Sequence, residues 1–80
     1  MQTVLDREAL KYLMTKKMYS QNRLGAATGL SQPYLSNLLS GKILRPSYHA
    51  VSQIASVLGV KVTAFMRKEE DHGGKGKGER

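Results

Sequence analysis

The chain has 80 residues, enough for one small domain and not for two. Thirteen Lys and Arg against six Asp and Glu leave a net charge of +7. With no Cys, disulfides, thiolate metal sites and a Cys nucleophile are excluded, and His49 and His72 alone are too few for a tetrahedral metal site. Neither a metal nor any other cofactor is therefore expected. Hydrophobic residues make up 40% of the chain, which suffices for a core. No apolar run approaches the roughly 20 residues that span a bilayer. The stretch MQTVLDREALKYLM has acids where a secretion signal has bases. These features predict a cytoplasmic protein without a membrane partner. A chain this short buries only about 60% of its unfolded surface. Pairing with a second copy is thus expected before any motif is considered.

The apolar residues step by three and four rather than by two, so the body reads as all-α, with no strand signal. A first helix offers Ala9, Leu10, Leu13 and Met14, with Asp6 and Glu8 at its positive end. Three further segments are bracketed by Ser and Gly: Ser20 to Gly29, Ser31 to Gly41 and Ser47 to Gly59. A Ser hydroxyl accepts from the free N–H groups of a first turn, and Gly takes the left-handed conformation that ends a last turn. The third bracket holds Val51, Ile54, Ala55 and Leu58 in an i, i+3, i+4, i+7 stripe. A short fifth helix is expected at Val62 to Met66. From residue 67 the chain reads RKEEDHGGKGKGER, without an aliphatic side chain, which predicts a disordered tail over 67–80. Residues 1–66 hold eight bases (Arg7, Lys11, Lys16, Lys17, Arg23, Lys42, Arg45, Lys61) and two acids, so the positive charge belongs mainly to the folded part.

The function is carried by residues 20–41, SQNRLGAATGLSQPYLSNLLSG. Two short helices joined by Gly29-Leu30-Ser31 must cross steeply, which is helix-turn-helix geometry. Gly25 and Ala26 supply small residues for the crossing, Leu24, Ala27, Leu35, Leu38 and Leu39 point inward, and Leu30 plugs the turn. The outward face of the second helix is then Gln32, Pro33, Ser36, Asn37 and Ser40, which carries no charge. Amides and hydroxyls read base edges: Gln and Asn pair with adenine, and Ser with several edges. Gln32, Pro33, Ser36 and Asn37 are therefore the expected base-reading set, with Pro33 stiffening the first turn. Gln21, Arg23, Ser40, Lys42, Arg45 and Ser47 are the expected phosphate contacts, at helix starts or on basic flanks. Tyr34 is open between a phosphate or sugar contact through its hydroxyl and partial burial.

SQNRLGAATGLSQPYLSNLLSGK resembles the helix-turn-helix of the phage repressor/Cro family, also called the Xre family. The resemblance continues through RPSYHAVSQIASVLGVKVTAFM, similar to that family's fourth and fifth helices, and covers about residues 5–66. It implies a five-helix, lambda-repressor-like domain over 1–66. It further implies phosphate contact at Gln21, base contacts at Gln32, Pro33, Ser36 and Asn37, and backbone contacts from Gly41 to Arg45. The sequence departs from the family at Gly25, where Ala is usual, at a cost of about 1 kcal/mol in helix stability. It departs again at Leu39-Ser40, which replace a commonly acidic-basic pair, and at Pro33, where the family has a polar residue. Lys61 stands where a Ser or Thr would cap the fifth helix.

The expected function is a sequence-specific regulator of double-stranded DNA, a repressor acting as a homodimer on a palindromic operator. Its dimer contacts are placed at Val60, Val62, Phe65 and Met66, the same residues that could instead complete the core. The alternative is a protein-interaction module of the same fold, such as an antitoxin ordering its tail on a protein partner. An enzyme is not expected, because no Ser, His and acid set converges.

Overall fold

A computed structural model of the chain describes residues 3–68. The elements run β1 (Thr3–Leu5), α1 (Arg7–Lys16), α2 (Gln21–Thr28), α3 (Gln32–Ser40), α4 (Tyr48–Leu58), a single 3₁₀ turn (Val62–Ala64) and β2 (Met66–Lys68). No helix among the described residues is long and apolar enough to cross a membrane.

The four helices start where their caps predict. Asp6 Oδ1 accepts from the Ala9 N–H at 3.1 Å, Ser20 Oγ from Arg23 at 3.1 Å, Ser31 Oγ from Tyr34 at 3.2 Å and Ser47 Oγ from Ala50 at 3.1 Å. Each oxygen satisfies one of the first-turn donors that have no partner within the helix. Gly29, Gly41 and Gly59 close α2, α3 and α4 in the left-handed conformation. α1 ends in the same manner but on Met18, with φ of 64°. The Tyr19 N–H reaches back to the Met14 carbonyl at 2.8 Å and the Met18 N–H to Thr15 at 3.1 Å, which is the Schellman arrangement.

The core joins Leu10 and Met14 of α1, Leu24 of α2, Leu35 and Leu38 of α3, and the Val51, Ile54, Ala55, Leu58 stripe of α4. Leu13, Leu30 and Leu39 pack against it half-buried. Ala27, expected to point inward, is exposed, and Thr28 is buried in its place. The Thr hydroxyl can enter the interior because it is satisfied there: Oγ1 donates to the Leu24 carbonyl at 2.7 Å and accepts from the Leu30 N–H at 3.2 Å.

The chain is not purely helical. β1 and β2 form a two-stranded antiparallel sheet with Thr3 opposite Lys68, Val4 opposite Arg67 and Leu5 opposite Met66. The expected fifth helix over 62–66 is replaced by the 3₁₀ turn followed by β2. Lys61 supplies no side-chain cap, and the Phe65 N–H bonds Val62 three residues back at 3.2 Å. The Phe65 carbonyl then accepts from the Asp6 N–H at 2.8 Å, which commits the chain to the sheet. The folded body accordingly extends through Lys68, two residues beyond the expected boundary at 66, and the rest of the proposed tail, 69–80, lies outside the described residues.

Phe65 and Met66 are 1% and 8% exposed and belong to the chain's own core. They are therefore not available as the dimer surface expected of them. Of that set only Val60 and Val62 reach solvent in part.

Candidate nucleic-acid interface

α2 and α3 meet at Gly25, which is buried. A Cβ built there would collide with Gln32 Nε2 and would lie 3.1 Å from the Leu30 carbonyl oxygen and 3.3 Å from Leu35 Cδ1. The absence of a side chain thus makes room for the Gln32 amide. That amide is paired with Gln21: Gln21 Nε2 donates to Gln32 Oε1 at 3.1 Å, and Gln32 Nε2 donates to the Gln21 carbonyl at 3.2 Å. The residue that departs from the family pattern and the two glutamines at the helix starts therefore form one unit. After these bonds Gln32 retains one amide hydrogen and one oxygen lone pair.

Along the rest of α3, Pro33, Ser36 and Ser40 are exposed and Asn37 is half-buried. Ser40 Oγ donates to the Asn37 carbonyl at 3.3 Å, and the same carbonyl accepts from the Lys42 N–H at 2.9 Å. The face is uncharged, and its helix is held from behind by Leu35 and Leu38, both fully buried. α2 is anchored in turn by Gln53 of α4, whose Nε2 donates to the Thr28 carbonyl at 3.3 Å.

The expected phosphate contacts fall into separate groups. Gln21 opens α2 and is tied to Gln32. Arg23 Nη1 donates to the Met18 carbonyl at 2.8 Å while its guanidinium lies 5.1 Å from the Tyr19 ring centroid, so this cation is oriented by the α1–α2 link. The Tyr34 ring is half-buried against the core, and its hydroxyl accepts from the Ser47 N–H at 3.3 Å. Both readings of Tyr34 left open above thus have a place: the ring packs, and the hydroxyl hydrogen remains available beside the start of α4. Lys42 and Arg45 are exposed on the loop between Gly41 and Ser47.

One cation escapes the sequence argument. The Arg7 guanidinium, at the start of α1, lies against Gly41, with Nη1 2.9 Å from where a Cβ would stand. It sits beside the negative end of α3, against the glycine that precedes Lys42 in sequence. Nothing in the residue pattern distinguishes it from the other bases of α1, because the contact depends on how α1 packs on α3.

A model of the helix-turn-helix family matches residues 10–65. The chain belongs to this family, that of Xre-, Cro- and lambda-repressor-like DNA-binding proteins. Neither a curated protein nor a solved structure matches the chain. For this helix-turn-helix protein, family membership implies a transcription regulator that binds double-stranded DNA. The departures at Gly25, Pro33, Leu39-Ser40 and Lys61 leave the match intact across the whole motif.

Proposed function

We propose that the protein is a sequence-specific repressor, acting as a homodimer in the cytoplasm on a palindromic operator, with no catalytic activity and no cofactor. The observation that carries the reading is the uncharged, outward α3 face on a body that is otherwise strongly basic. Residues 3–68 hold ten bases and two acids, yet none of them lies on α3. α4 is likewise without Lys, Arg, Asp or Glu, but five of its eleven residues are buried, against two of nine in α3, so it is α3 that turns most of an uncharged surface outward. In a major groove, Ser36 and Asn37 would meet base edges, and Pro33 would present an apolar surface to a thymine methyl.

Gln32 would read adenine with the donor and acceptor that Gln21 leaves unused. Because the partner amide already fixes its orientation, less rotamer freedom is lost when it meets the base. Gln21, Arg23, Tyr34, Ser40, Lys42, Arg45 and Ser47 would set the register by contacting phosphate, a role that carries no sequence information. Repression would follow from occupying promoter DNA.

Selection of bound fragments from random duplex DNA tests this reading. It should enrich a palindrome whose half-sites are about 10 base pairs, or 34 Å, apart. Enrichment of nothing, with binding that depends on salt alone, would overturn it.

A further inference from the structure

α3 ends without a cation of its own. No basic residue stands in its last turn, so its carbonyl end carries a partial negative charge that would repel the phosphates the following loop is proposed to meet. The cation comes from another helix. Arg7 is the first residue of α1, and its Nη1, Cζ and Nε stand 2.9, 3.0 and 3.4 Å from where a Cβ would be on Gly41, the residue that closes α3. With three atoms at nearly one distance, the guanidinium lies along the glycine instead of touching it with the tip of the side chain.

Packing holds the group while its donors stay unused. A guanidinium has five N–H donors, and among the described residues no carbonyl, hydroxyl or carboxylate accepts from Arg7. The two described acids, Asp6 and Glu8, flank it in sequence without pairing with it, and Asp6 caps α1 through the Ala9 N–H. Arg23, by contrast, donates to the Met18 carbonyl at 2.8 Å. The backbone that carries Arg7 is also fixed relative to the basic loop: the Leu5 N–H donates to the Leu44 carbonyl and the Asp6 N–H to the Phe65 carbonyl, both at 2.8 Å. Arg7 is exposed, so a bulky anion can reach it.

We infer that Arg7 is a further phosphate-binding residue, a cation that α1 supplies across the end of α3 to the duplex backbone beside Lys42. A guanidinium binds phosphate through two parallel N–H bonds, and one already held against backbone loses little rotamer freedom in doing so. In the same place its charge offsets the carbonyl end of α3, which would otherwise face the phosphate. The inference rests on the proposed entry of α3 into a major groove and adds a contact from outside the helix-turn-helix.

The slope of log K against log salt on a random duplex tests it. Arg7→Gln should lower its magnitude by about 0.9, so that the affinity lost between about 50 and 200 mM salt shrinks roughly three- to fourfold. Arg7→Lys keeps the charge and should keep the slope. Lys16→Gln removes the same charge from α1, but about two and a half turns further along and so on the opposite side of the helix, where the ammonium lies 5.9 Å from the Tyr12 ring centroid. It should change the slope less. A slope that Arg7→Gln leaves unchanged while Lys42→Ala lowers it confines Arg7 to closing α3, which overturns the inference and leaves base reading standing. A slope lowered equally by Lys16→Gln also overturns it, since net charge alone would then account for the change. A full chain that binds no duplex overturns the inference and the proposed function together.

Discussion

Gly25→Ala is the substitution that tests the architecture of the interface most directly. By helix propensity alone it should stabilise the protein by about 1 kcal/mol, since Gly25 lies inside α2. The structure opposes that gain. The new methyl would collide with Gln32 Nε2, so the amide must leave and both of its hydrogen bonds to Gln21 are lost. Each is worth about 0.5–1 kcal/mol at this half-buried position. The Leu30 carbonyl, at 3.1 Å, must also yield by a few tenths of an ångström. The expected result is a variant no more stable than the parent and up to about 1 kcal/mol less stable by urea denaturation. Its affinity for the selected operator should fall while its affinity for random DNA stays the same. In a Gln32→Ala background the main collision is gone, so the same substitution should become more favourable by about 1 kcal/mol, a coupling read directly from the double-mutant cycle. Stabilisation by the full propensity gain in both backgrounds, with operator affinity unchanged, would refute the interlock.

Met18→Gly should raise stability by about 0.5–1 kcal/mol, a Tm increase of a few degrees, because Met18 holds a left-handed φ while its side chain is 78% exposed and contributes little packing. A fall in Tm would show that the thioether makes a contact worth more than the strain. Lys42→Ala should weaken binding to all duplexes alike and lower the slope of log K against log salt by roughly one, and an unchanged slope would remove Lys42 from the phosphate set. Phe65→Ala should cost about 3–5 kcal/mol in urea denaturation, enough to unfold much of so small a domain. A variant that stays folded and loses only dimerisation would return Phe65 to an interface.

The parts of the fold legible in the sequence are those whose chemistry is local. Ser20, Ser31 and Ser47 bond N–H groups three residues on, and their glycines close the same helices, so neither end needs a distant partner. The sheet was not legible because each strand has three residues, too few to show an alternation, and the two come from opposite ends of the described chain. Lys61 gave the one local sign that the fifth helix would fail. Within the site, the uncharged face of α3 could be read from helical spacing. Its internal organisation could not. Gly25 reads as a departure that weakens a helix until Gln32 is seen lying over it, and Arg7 as an ordinary surface charge until it is found against Gly41. Thr28 entered the core ahead of Ala27 because carbonyl and N–H partners were waiting there, and apolar spacing carries no information about such partners.

The sheet that the sequence concealed also bears on binding. β1 is bonded on one side to the stretch after the 3₁₀ turn, through Asp6 and Phe65, and on the other to the exit of α3, through Leu5 and Leu44. Leu44 lies between Lys42 and Arg45, in the loop proposed above to meet phosphate. A loop of this length carrying two exposed cations would otherwise lose considerable backbone freedom on meeting a duplex. The bond from Leu5 fixes its centre beforehand, Gly41 fixes its entry with the Asn37 carbonyl bonded to the Lys42 N–H, and the Tyr34 hydroxyl fixes its exit at Ser47. Three attachments from β1, the last turn of α3 and the first turn of α3 thus hold the basic loop relative to the uncharged face. On the proposed function, positioning by phosphate and reading of bases would then be coupled through rigid structure, the condition under which contacts that carry no sequence information can still sharpen those that do.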